Sequence, residues 1–238
     1  MSRRSVLLAT GILLLLGVFL VAGGAVLLRH EPAFYRRAAL SSGAARKKNW
    51  DDFKRQCSAL HNGIQNNREW SAQFAAEQIN GYLQEMCRAA DGEDRTLPDG
   101  IGDPLLPERI SDPRIAIEDG RLRLGFRYGS GIWSTVVSID LRVWVAKGEP
   151  NVVGLELQGM HAGSLPLSSQ SLLEHVSEAA RRQNVEVTWY RYQGNPVALL
   201  RFQNRRSRAT VQLTQVELQA GKLLIQGRSV DAGRAAGN

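Results

Sequence analysis

Cysteine is scarce in this chain: Cys57 and Cys87 are the two in 238 residues. Two cysteines cannot build a disulfide-rich scaffold, and these lack the spacing of a metal site. Histidine is nearly as rare, with His30, His61, His161 and His175. The sequence has no nucleophile-elbow pattern, no strand-then-helix phosphate loop and no signature of a nucleic-acid-binding fold. These absences argue against zinc-finger, P-loop and α/β-hydrolase readings. No catalytic, cofactor-binding or metal-ligating set emerges, so the expectation is a protein that is not an enzyme, needs no cofactor and binds no nucleic acid.

What the chain does have is one long uncharged run. Ser5 to Leu28 spans 24 residues without a charge, SVLLATGILLLLGVFLVAGGAVLL. At ~1.5 Å per residue it is long enough for a hydrocarbon core of ~30 Å. Arg3-Arg4 and the small residues Gly23-Gly24-Ala25 also fit a cleaved signal peptide. Signal-peptide apolar cores run only ~7–15 residues, however, which favours an uncleaved anchor. Orientation has conflicting cues. Arg29, Arg36, Arg37, Arg46, Lys47 and Lys48 outnumber Arg3 and Arg4, and the positive-inside rule would keep the C-terminal domain in the cytoplasm. Yet the run is near the N-terminus, and long domains translocate largely regardless of charge. The expectation is a single-pass membrane protein with an extracytoplasmic domain.

The formal net charge is +7. Clusters stand at Arg46-Lys47-Lys48 and at Arg201, Arg205, Arg206 and Arg208. For a tethered chain, anionic membrane lipid is the simplest partner, with a solvated basic face as the plainer alternative.

Patterning divides the chain into an anchor at 1–28, a linker at 29–45, one α+β domain at 46–228 and a flexible tail at 229–238. Trp50, Phe53, Cys57, Leu60 and Ile64 recur at steps of three and four, which predicts a helix from about Arg46. A short extended piece, Glu69–Phe74, precedes a second helix over Ala75–Ala89 with Ile79, Tyr82, Leu83 and Met86 on one face. Asp91–Pro113, with four prolines, reads as a long loop. The period then drops to two. Leu122–Tyr128, Ile139–Val145 and Val153–Leu157 alternate as half-buried strands. Leu172, Leu173, Val176 and Ala180 mark a third helix, capped by Ser168, Ser169 or Ser171. Strands follow at Val185–Tyr192, Val197–Gln203, Ala209–Leu218 and Leu223–Gln226. The predicted architecture is α+β: an N-terminal transmembrane helix, then helices packed on a twisted antiparallel sheet of about seven strands.

Candidate chemistry is sparse. His161, bracketed by glycines in Gly159-Met160-His161-Ala162-Gly163, would need a nucleophile or metal set beside it. Without one, it reads as a loop passing close to the sheet. Cys57 and Cys87 fall on or beside helix faces, as a disulfide if the domain is extracytoplasmic or as two buried thiols. Trp133, Trp144, Trp189, Tyr190 and Tyr192 lie on or beside strands, so some strands are apolar on both faces. That calls for a covering layer of helix, or for a lipid-sized groove between sheet and helix. The candidate groove residues are Leu141, Val143, Val145, Leu155, Leu172 and Val176.

The order of features resembles the YpmS-type proteins, small membrane-anchored extracytoplasmic proteins of unknown function. The likeness rests on Glu77-Gln78-Ile79-Asn80-Gly81-Tyr82-Leu83 at a helix start and on Gly163-Ser164-Leu165-Pro166-Leu167 opening a later helix. It covers roughly Phe74 to Gly227. Ala75-Ala76 stand where the family carries serine or threonine before the glutamate. Related architectures cradle a long helix in a curved sheet and include lipid-carrying tubular proteins, so the resemblance implies lipid handling without assigning residues to it. The expected function is a non-enzymatic module that binds lipid or another apolar ligand at the cell envelope. The alternative is an interaction or assembly module with an envelope protein partner, docking through a sheet edge or the acidic stretch Asp91–Asp119.

Overall fold

The long alternating segments from residue 110 onward pair as antiparallel ribbons, and two separate sheets result. The computed structural model describes residues 23–39, 43–91, 110–131, 134–146, 148–149, 151–182, 185–202 and 209–231. Along the chain these form α1 (residues 23–29), α2 (Ala33–Arg37), α3 (Gly43–Asn66), β1 (Glu69–Ala75), α4 (Ala76–Asp91), β2 (Ile110–Glu118), β3 (Arg121–Tyr128) and β4 (Thr135–Val145). Then come β5 (Val152–Ala162), β6 (Leu165–Pro166), α5 (Gln170–Arg182), β7 (Val185–Tyr192), β8 (Asn195–Phe202), β9 (Ala209–Gln219) and β10 (Lys222–Asp231). The α+β class is as expected. Most of the expected anchor, residues 1–22, lies outside the described residues. Among the described residues no helix is long and apolar enough to cross a membrane.

The larger sheet has the order β2-β3-β4-β5-β8-β7, with β6 added to the end of β5. The smaller has the order β1-β10-β9. This corrects the expectation of a single sheet. The extended piece at Glu69 pairs with the last strand, Trp70 opposite Gly227, and so closes a sheet of its own. Any side chain at Gly227 would collide with the Trp70 indole, so only glycine admits that ring.

Direct pairing places Ile115, Ile117, Leu122, Leu124, Ile139, Leu141 and Val143 on one face of the larger sheet. There Ile115 and Ile117 form a buried cluster with Ala76 of α4 and Leu218 of β9, joined by Ile79, Leu83 and Val143. The opposite face carries Arg114, Arg123, Gly125, Arg127 and Val136.

Two locks hold the edges. The buried Asn80 side chain donates to the Ile115 carbonyl at 3.0 Å and accepts from the Ile115 amide at 2.6 Å. The amide group thereby stands in for a neighbouring strand along the outer edge of β2. Next to it, Gly81 lets α3 cross closely: a Cβ there would lie 2.6 Å from that of Asn49. The Trp50 ring stacks on Tyr82 and the Phe53 ring packs on it at a tilt across the same crossing. At the start of α4, Gln78 accepts from the Ala75 amide at 2.8 Å, the return half of a capping box. Ala75 stands where that box usually has serine or threonine, and it is also the last residue of β1, paired with Lys222.

The expected linker at 29–45 is not a bare tether. Phe34 and Tyr35 on α2 are buried against the arginine face with Val136 and Ala116. A side chain at Gly125 would lie 2.7 Å from the Tyr35 ring, so glycine makes their seat. Helix α3 begins at Gly43, earlier than expected. The expected loop Asp91–Pro113 also ends early, since β2 opens at Ile110 and buries Ile115 and Ile117. The acidic stretch Asp91–Asp119 is therefore partly sheet, with residues 92–109 outside those described.

Candidate functional site: a half-covered aliphatic sheet face

The site grows from β4 and β5. Their register sets Leu141 opposite Leu157, Val143 opposite Leu155 and Val145 opposite Val153. Four of the candidate groove residues, Leu141, Val143, Val145 and Leu155, thus form one aliphatic patch on the face that bears the main cluster. The patch continues through Ala198 and Leu200 of β8 to Trp189 and Val187 of β7. Leu157, Val153 and Ala198 are buried in it, whereas Leu141, Val143, Val145, Leu155, Leu200 and Val187 stay half-exposed. On the β4 side the neighbour is β9. On the β7 side it is α5.

Helix α5 is amphipathic, yet none of its residues is buried. Leu172 and Val176, the two remaining candidates, are half-exposed on its apolar stripe. Three strand spacings, about 14 Å at ~4.8 Å each, separate β4 from β7. Four of the candidates therefore lie on the sheet face and two on α5, and the six do not form one contact cluster. A strut holds α5 in place: the Trp189 indole donates to Ser177 Oγ at 2.8 Å. Period-two reading placed Trp189 on the apolar face, but its polar partner on a helix twelve residues earlier had no sequence signal. Between α5 and β7 lies an open cleft of about 930 Å³ lined by Leu173, Trp189, Arg181, Arg182, Arg191 and Glu178, among others. Glu178 pairs with Arg181 at 3.4 Å and Arg182 at 3.3 Å. The candidate residues Leu172 and Val176 do not line this cleft.

The arginine face has its own order. Arg123 meets Asp140 at 3.3 Å and Glu118 at 3.4 Å. Glu156, 5 % exposed, accepts from Asn195 at 2.7 Å and faces Arg142 at 4.0 Å. Trp144 lies flat over Gly154, where a Cβ would collide with its ring. His161 sits half-buried opposite Ser138, its ring against Gly159. Among the described residues, no group of three or more His, Cys, Asp or Glu is placed to hold a metal ion.

Cys57 and Cys87 are not joined by a disulfide in the structure. The two thiols are not both buried, as the apolar alternative held: Cys57 is exposed and Cys87 half-buried, because α3 packs its stripe only partly and buries no residue fully. Partial burial still pushes the Cys57 thiol up from its ordinary value. Burial likewise raises the Tyr82 phenol, with Cys57 adding to the effect.

Comparison with protein-family models, with curated proteins and with solved structures gave no match.

Proposed function

We propose that the chain is a membrane-anchored, non-enzymatic module that holds a lipid-like apolar ligand in the trough between β9 and α5. The carrying observation is a mismatch of covers. An amphipathic helix with no buried residue lies beside a strand face on which Leu155, Leu200 and Val187 stay half-exposed. Exposed apolar area of this kind costs about 25 cal/mol per Å², and an acyl chain laid between the walls would remove it from water. Arg181 and Arg182 at the end of α5 and Arg191 on β7 supply positive charge for the polar end of such a ligand. The uncharged run Ser5–Leu28 supports the anchor. The likeness to YpmS-type proteins points the same way.

The test is native mass spectrometry of the full chain in detergent, with organic extraction of the same sample. A co-purified lipid of defined mass is expected. Leu155→Asp should abolish its capture and leave the fold intact, since Leu155 is half-exposed. Val143 is the poorer choice because it also packs on the buried cluster. A clean apo mass, with none gained on adding membrane lipid, would move the assignment to an envelope-protein interaction module.

A further inference from the structure

We infer that the β5–β6 turn is a socket for the end of the membrane anchor, and that it seats one rim of the domain on the bilayer surface. The inference rests on reading Ser5–Leu28 as an anchor and adds to it an orientation. A helix end leaves carbonyl groups without intrahelical partners. At the end of α1 the sheet supplies them. The Ser164 amide donates to the Leu27 carbonyl at 2.9 Å, and Thr135 Oγ1 donates to the Leu28 carbonyl at 2.5 Å. Gly163 makes the approach feasible. Its φ of +59° suits glycine, and a Cβ there would collide with the Leu27 carbonyl and lie 2.6 Å from that of Leu28.

The next residues are held as well. Glu31 pairs with Arg127 at 2.5 Å. The Arg114 guanidinium lies over the Tyr35 ring, 4.2 Å from its centroid, and donates to the Tyr35 carbonyl at 2.8 Å. Only residues 30–32 separate α1 from α2, so the domain has no free tether on which to tumble.

The rim around this socket is apolar. Among the described residues eight large apolar side chains are exposed, and Val26, Leu27, Leu28, Tyr128 and Leu167 are five of them. Val26 is 70 % exposed, Tyr128 43 % and Leu167 40 %. Tyr128 pairs with Thr135, and the Leu167 amide bonds the Met160 carbonyl, so both adjoin the socket strands. Arg36 and Arg37 are exposed on α2 nearby. A tyrosine with arginines at the exit of an apolar run matches the chemistry of the head-group layer. The occupant is therefore the surface of the bilayer that holds the anchor.

The experiment places a bimane label in the full chain, with Cys57 and Cys87 replaced by serine. The chain is reconstituted in phosphatidylcholine–phosphatidylglycerol vesicles carrying a head-group nitroxide lipid. Labels go on Tyr128→Cys, on Leu167→Cys and, in the turn at the opposite end of β3, on Asp119→Cys. Quenching several-fold stronger at 128 and 167 than at 119 is expected. Gly163→Val should bring the rim values down to that at 119 while the chain still floats with vesicles. Should that variant misfold, Thr135→Val removes the hydroxyl donor alone and should lower quenching at 128. Equal quenching at both ends, or rim quenching that survives the folded variants, overturns the inference and leaves the anchor standing. A chain that does not float with vesicles overturns the anchor reading and this inference together.

Discussion

Replacing Asn80 by alanine isolates what this one side chain does for the sheet. In the structure its amide satisfies both polar groups of the Ile115 peptide, at 3.0 Å and 2.6 Å, and the residue is 3 % exposed. Alanine leaves that amide and that carbonyl without partners in a place that water does not reach. Each orphaned group costs about 1–3 kcal/mol, so the loss is roughly 2–6 kcal/mol. For a domain of this size that corresponds to a fall of about 4–24 °C in melting temperature. The assay is a thermal melt of the full chain in mild detergent, followed by tryptophan fluorescence. Asn80→Asp sharpens it. Ionised aspartate still accepts from the Ile115 amide but turns a charge toward the Ile115 carbonyl. Its folded pKa is therefore raised above the unfolded value of ~3.9, and the variant regains stability as pH falls toward that value. Protonated, it can donate to the carbonyl again. A melting temperature for Asn80→Ala within about 1 °C of the parent would refute the reasoning. So would an Asn80→Asp deficit that is the same at pH 4.5 and pH 7.5.

Two further outcomes follow from α2. A chain starting at Gly43, with α3 whole, loses Phe34 and Tyr35, whose burial contributes roughly 3–6 kcal/mol. It should melt well below a chain starting at Arg29, and equal melts would mean that α2 is not part of the fold in solution. Tyr35 is fully buried and donates to the Asp112 carbonyl at 2.8 Å. Burial, then Asp112, hold its phenol far above the ordinary value. A raised folded pKa means stability that is intact below the unfolded pKa of ~10 and lost as pH rises beyond it. Stability should accordingly fall above about pH 10. Tyr35→Phe should cost about 1 kcal/mol at pH 7 and flatten that alkaline fall, and an unchanged alkaline slope would refute the assignment.

Period-two alternation made β3, β4, β5 and β7 legible, because the aliphatic side chains of each alternate onto one shared face. It could not reveal that β1, β9 and β10 leave the main sheet. That partition depends on the fit of Trp70 over Gly227, a contact more than 150 residues apart in the chain. Segment 29–45 looked like a linker for a related reason. Phe34 and Tyr35 are two apolar residues among arginines, too few to show a period, and their seat is made by Gly125 on a distant strand. Leu141, Val143, Val145 and Leu155 were readable as one patch because strand register preserves sequence alternation. How far Leu172 and Val176 stand from them was not, since the distance depends on β8 and β7 being inserted between β5 and α5. The two short motifs behind the family likeness carry structural work in this chain. Asn80 closes the β2 edge and Gly163 receives α1.

Strand β5 joins the two proposals. It carries Leu155 in the floor of the trough and ends at Ala162, beside the socket at Gly163. From Leu155 to Ala162 is seven residues, or about 23 Å at ~3.3 Å per residue. If the socket seats the rim on the bilayer, the trough is held at that reach from the head groups by a paired strand and not by a flexible segment. A ligand would then enter and leave at a fixed height. Loosening the socket with Gly163→Val should slow the exchange of a bound lipid with vesicles while leaving its affinity in detergent unchanged. A lost affinity in detergent would instead mean that Gly163 shapes the trough itself.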